Sequence, residues 1–127
     1  MIEIFKALGD ENRLRILNIL MGYELCVCEL EVLLEMTQSN VSRHLGKLKS
    51  NGSITASKDA QWIHYKLSDI FVDENELLIR YLELNFNKNS LFENDLNRCI
   101  AYKNSNYDCQ TIRSDKNLVL KFLKNAK

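Results

Sequence analysis

Apolar residues recur at helical spacing as far as Leu48, at strand spacing from Ile54 to Leu67, and again at helical spacing after Asp73. That order predicts a mainly α-helical fold with one β-hairpin. Two helices closed by a tight corner and followed by a hairpin are the sequence of elements in a winged helix-turn-helix. A broad apolar stripe in the last strong helix adds the expectation of a dimer.

The elements follow in order. The chain has no proline, so its breaks fall at Gly9, Gly22, Gly46, Gly52 and polar clusters. Residues 2–8 (IEIFKAL) predict a short helix, apolar at Ile2, Phe5 and Leu8. Asp10 is placed to cap a second helix carrying Leu14, Leu17, Leu20 and Met21, which Gly22 ends. A third is expected from Cys28 to Glu35, burying Leu30, Leu33 and Leu34. Thr37 caps a fourth, with Val41, Leu45 and Leu48 on its inner face and Gly52 as its stop. ITASKD and WIHYKL then alternate as two strands around Asp59-Ala60-Gln61, with Ile54, Ile63, Tyr65 and Leu67 facing the helices. From Asp73 to Phe86 one amphipathic helix is expected, with Leu77, Leu78, Tyr81, Leu82 and Leu84 as its stripe. A domain this small has little room to bury so wide a face, and a second subunit is the natural cover. Residues 88–127 are more polar, with weak helical signals at Leu91–Tyr102 and Leu118–Leu123 and an expected loop, NSNYDCQTIRS, between them. The chain thus divides into a winged helix-turn-helix domain over 1–87 and a partly helical C-terminal extension over 88–127.

Composition narrows the function. Hydrophobic residues make up 46% and charged residues 27%, a globular balance. Charges within MIEIFK argue against a signal peptide, and no run approaches the roughly 18 apolar residues of a membrane span. Four cysteines in such a chain suggest a reducing cytosol and thiols that act as ligands or sensors. The formal net charge is zero, yet it is unevenly spread. Between residues 37 and 66 lie five basic side chains (Arg43, Lys47, Lys49, Lys58, Lys66) against one acid, Asp59, while residues 1–36 are acidic. A positive window of this kind is the footprint expected for a phosphate backbone.

The same window holds the fourth helix. Away from its apolar stripe stand Gln38, Ser39, Ser42, Arg43 and Lys47, with Lys49 beyond. Short hydrogen-bonding side chains at the N-terminus suit base edges in a major groove, and later cations suit phosphates. Lys58, near the hairpin tip, is placed to reach a phosphate or the minor groove. His44 borders the apolar stripe and is read as a structurally satisfied histidine. His44 and His64 lie apart in helix and hairpin, with no nucleophile, base and orienting group to make an enzyme.

ELCVCEL sets Cys26 and Cys28 two residues apart at the start of the third helix. A zinc knuckle needs a second matching pair, and a disulfide between neighbours this close is strained. Both could be small buried hydrophobes. Leu25, Val27 and Leu30 already supply apolar contacts, however, and Glu24, Glu29 and Glu31 mark an exposed helix start. The helix dipole favours a thiolate there, and two thiolates form a partial site for a soft ion.

The runs ALGDENRLRILNIL, ELCVCEL, TQSNVSRHLGKLKSNGSI and WIHYKLSD, taken together over about residues 5–85, resemble the ArsR/SmtB family of metal-responsive winged-helix repressors. The resemblance implies a homodimer paired through first and last helices that binds operator DNA when metal-free and releases it when metal binds. ELCVCEL looks like the thiolate site of the arsenic-sensing branch and of the cadmium/lead-sensing branch. It implies Cys26 and Cys28 as ligands and As(III)/Sb(III) as inducer. The chain departs from the arsenic pattern at Glu31, where a third cysteine often stands, and the residues ahead of Cys26 hold no cysteine of the kind that the cadmium/lead branch draws from an N-terminal extension. Residues 73–87 have no histidine for the zinc branch. Trivalent arsenic prefers three thiolates. The third is assigned to Cys109, in the polar run SNYDCQT, with Cys99 or an exogenous ligand as alternatives. The full expectation is a cytoplasmic, non-enzymatic homodimeric repressor of double-stranded operator DNA with an inverted repeat. It carries no organic cofactor and makes no membrane contact. Two alternatives keep the fold: a Cd(II)/Pb(II)-responsive repressor, and a thiol redox sensor.

Overall fold

The structure, a computed structural model, describes residues 1–126. It opens with α1 (Ile2–Leu8) and α2 (Glu11–Leu20), then a two-residue strand β1 (Leu25–Cys26) running straight into α3 (Val27–Leu34). α4 (Gln38–Ser50) follows, then the hairpin β2 (Ile54–Asp59) and β3 (Trp62–Leu67). Five helices complete the chain: α5 (Asp69–Glu74), α6 (Glu76–Phe86), α7 (Ser90–Asn104), α8 (Cys109–Ser114) and α9 (Lys116–Lys124). The sheet is antiparallel in the order β1-β3-β2. This is the winged helix-turn-helix that the change of period predicts.

Local chemistry fixes the helix starts. Asp10 accepts from the Arg13 N–H at 3.1 Å and Thr37 from the Asn40 N–H at 3.2 Å, each satisfying an amide with no intrahelical partner. Between α3 and α4 the chain turns at Glu35, whose φ of 53° is the left-handed conformation that closes the corner. Gly52, at φ 85°, makes the matching turn out of α4. The core lies among α2, α3, α4 and β2: Ile16, Leu17, Ile19, Leu30, Leu33, Val41, Leu45, Leu48 and Ile54 are all fully buried.

Four sequence expectations change. Ile63, expected to face the helices, is 47% exposed. Asp73–Phe86 is two helices, broken at Asn75. The upstream helix starts earlier because Ser68 caps it, accepting from the Phe71 N–H at 3.2 Å, and the Asn75 amide donates to the Phe71 carbonyl at 3.0 Å. The expected stripe on α6 divides: Leu82 faces inward with Ile79 and Phe86, while Leu77, Tyr81 and Leu84 face outward. Finally, part of the segment read as a loop is helical. Asp108 builds a capping box with Thr111, and α8 begins at Cys109. Residues beyond Asn89 pack onto the rest, since α7 lies against α2 and α3, and both α8 and α9 lie against α3.

Candidate metal centre and nucleic-acid face

Cys26 ends β1 and is the N-cap of α3; Cys28 lies in that helix's first turn. The Cys26 N–H donates to the Glu29 carboxylate at 2.9 Å, and the other oxygen of Glu29 accepts from the buried Tyr102 hydroxyl of α7 at 2.5 Å. The start of α3 is thereby tied to α7. Cys109, the first residue of α8, donates its thiol to the Cys26 sulfur at 3.2 Å. Cys26 and Cys109 are buried and Cys28 is half-buried. Cys26 and Cys28 border a cleft of about 420 Å³ lined also by Trp62, Tyr65, Arg113 and Lys116.

Charge at this site differs from the expectation for a helix start. Burial pushes the Cys26 thiol up to about 11, against a smaller opposing effect of the Cys109 hydrogen bond. The Cys28 thiol is raised further, first by its hydrogen bond with Cys109 and then by burial. Both thiols are therefore protonated at neutral pH in the free protein. The dipole favours a thiolate by about 0.3–1 kcal/mol, less than the cost of burying the charge.

The donors still suit a thiophilic ion. The Cys26 and Cys109 sulfurs meet in a buried setting at the ends of β1 and α8, and soft ligands of this kind select soft ions. Cys99, the alternative third sulfur, is 0% exposed within the apolar core of α7, and burial pushes it up to about 12. One neighbour escaped the sequence reading. His64 on β3 pairs in register with Cys26 on β1, and its Nδ1 lies 3.4 Å from the Cys26 sulfur. Strand pairing across 38 residues is a tertiary fact, and the alternation of WIHYKL signals only that His64 sits on a strand.

Gln38, Ser39, Ser42, Arg43 and Lys47 are all exposed on α4, Gln38 also lining the cleft beside Cys26 and Cys28, and Lys58 is exposed on β2. His44 is buried, its Nδ1 3.3 Å from the Arg13 guanidinium. Lys6 and Arg13, which the sequence did not connect with this face, line a cleft with Arg43 and Lys47. No described helix is long and apolar enough to cross a membrane.

Known proteins bear on this architecture. Residues 10–55 match the family described as "Bacterial regulatory protein, arsR family". The chain is 44% identical over 68 residues to the arsenical resistance operon repressor of Escherichia coli (strain K12), covering 53% of this chain and 58% of that protein. Over 67 residues it is 37% identical to the cadmium resistance transcriptional regulatory protein CadC of Listeria innocua, covering 52% of this chain and 56% of that one. Among solved structures, reduced HlyU from Vibrio cholerae N16961 is 40% identical with a TM-score of 0.55, covering 63% of this chain and 85% of HlyU. The chain spans between half and three fifths of the length of the arsenic-resistance regulators it matches.

Proposed function

The chain belongs to the arsR family of bacterial regulatory proteins, and from that premise we propose that it is a cytoplasmic, homodimeric repressor induced by As(III) or Sb(III). In this reading Cys26, Cys28 and Cys109 hold the inducer. Gln38, Ser39 and Ser42 face base edges of an inverted-repeat operator, while Arg43, Lys47 and Lys58 meet phosphates. The observation that carries it is the 3.2 Å meeting of the Cys26 and Cys109 sulfurs, 83 residues apart in the chain. An ion bound there supplies three strong sulfur bonds that link the start of α3 to α8. α3 leads through Glu35 to Thr37, the cap of α4, so constraint at one end of α3 is felt by the helix that enters the groove. Release requires that the ion bind the DNA-incompetent arrangement more tightly, a coupling typically worth about 1–3 kcal/mol.

The test is fluorescence anisotropy on operator DNA with and without arsenite. The native chain is expected to lose about 5- to 150-fold in operator affinity, and the double variant Cys26→Ser/Cys28→Ser to lose none. Equal responses from the two proteins exclude thiol ligation. The same sulfur pair favours a second reading, a redox switch. There hydrogen peroxide takes two electrons and two protons from Cys26 and Cys109, leaving a disulfide and two waters. Recovery of operator binding with a dithiol, in the absence of any metal, identifies that route.

A further inference from the structure

We infer that His64 on the wing strand is a fourth ligand, completing with Cys26, Cys28 and Cys109 a three-sulfur, one-nitrogen site for a divalent cation such as Cd(II) or Zn(II). The inference rests on the reading that these thiols bind metal and extends it to a second class of ion.

The backbone sets up the approach. β1 and β3 pair antiparallel with Cys26 opposite His64, which brings the imidazole over the sulfur. Nδ1 is 3.4 Å and Nε2 3.9 Å from the Cys26 sulfur, and among the described residues no other hydrogen-bond partner holds the ring. A half-buried imidazole whose hydrogen-bond partner is a thiol is available to a cation on that thiol. Cys26 is the hub: Cys109 meets it from α8 and His64 from the wing.

Ligand atoms of Glu29 also lie within 4.8 Å of those of Cys26 and His64. Both Glu29 oxygens are already engaged, one by the Cys26 N–H and one by the Tyr102 hydroxyl. Glu29 is thus a positioning residue that orients the start of α3, and the nitrogen of His64 is the free donor.

Ion chemistry then divides the roles. Trivalent arsenic takes three sulfurs in a pyramid, with its lone pair in the fourth direction, and has no use for the imidazole. Zinc and cadmium complete a tetrahedron, for which thiolate and imidazole are both good donors. A divalent ion would therefore bind the wing strand as well as α3 and α8. Arsenic would leave the wing free.

The experiment titrates the full-length reduced chain with Cd(II) against a competing chelator, following sulfur-to-cadmium charge transfer and the cadmium-113 resonance. A parallel titration uses arsenite. In His64→Gln, Cd(II) affinity is expected to fall by about 10-fold or more and the cadmium resonance to move, while arsenite affinity stays unchanged. If cadmium affinity and resonance are unchanged in His64→Gln, the fourth ligand is refuted and the thiol site stands. Should His64→Gln weaken arsenite as much as cadmium, the histidine supports the fold and the inference again falls. Absence of sulfur charge transfer in the native chain with either ion overturns the thiol reading itself.

Discussion

Cys26 and Cys28 hold their protons at neutral pH, since burial pushes Cys26 up to about 11 and the Cys109 hydrogen bond and burial raise Cys28. Cadmium must displace those protons, so its affinity is expected to climb about 10-fold or more per pH unit through the neutral range. Arsenous acid brings its own hydroxides, which leave as water with the thiol protons, so its affinity is expected to stay nearly level. Chelator competition across that range reads both. A level cadmium profile would mean that the thiols are already ionised and would overturn the account of their burial. The position of Cys26 and Cys28 at a helix start was legible in ELCVCEL. Their protonation was not, because it depends on what covers them, and Cys109 and β3 come from elsewhere in the chain.

Among the elements, α3 is held at both ends by α7. At its start the Glu29 carboxylate joins the Tyr102 hydroxyl. At its end Arg98 Nε donates to the Leu33 carbonyl at 2.9 Å and Arg15 Nη2 to the Leu34 carbonyl at 3.3 Å. Both guanidiniums converge on Asp95, Arg15 through Nε at 2.8 Å and Arg98 through Nη2 at 2.6 Å, and Asp95 is 0% exposed. The Asp95 hydrogen bond keeps the Arg15 guanidinium above its ordinary range. Removing the carboxylate leaves two largely buried cations facing each other without a counter-charge. Asp95→Ala is therefore expected to cost about 3–5 kcal/mol, measured by urea unfolding. A loss below about 1 kcal/mol would show that the cluster is not what fixes α3, since surface pairs give values of that size. None of this network was legible in the sequence. Arg15 and Asp95 are 80 residues apart, and the weak helical pattern of 91–102 gave no sign that an acid there would face inward.

For the molecule as a whole, the outward residues of α1 and α6 remain to be covered. Phe5 is 59% exposed, Leu77 79% and Tyr81 63%. Large apolar side chains left open on a first and a late helix are the surface a second copy would bury. Leu77→Glu combined with Tyr81→Glu is expected to convert a dimer to a monomer in sedimentation and to weaken operator binding, since one half-site then acts alone. A native chain that sediments as a monomer at micromolar concentration would refute the dimer. The sequence marked α6 as too apolar for one small domain. It could not say which residues of the stripe turn inward, because that depends on which side of α6 the rest of the fold packs against, and Ile79, Leu82 and Phe86 are the ones it buries.

What the sequence determined alone was everything governed by neighbours in the chain. Helix spacing, the caps at Asp10 and Thr37, the turn at Gly52, the hairpin alternation and the polar face of α4 all arise within a few residues, and each was readable there. Only the tertiary structure decided which groups meet across the fold: Cys109 with Cys26, His64 with Cys26, and Tyr102 with Glu29. Those meetings are set by strand register and helix packing, which spread their free energy over many side chains and so leave little trace at any one position.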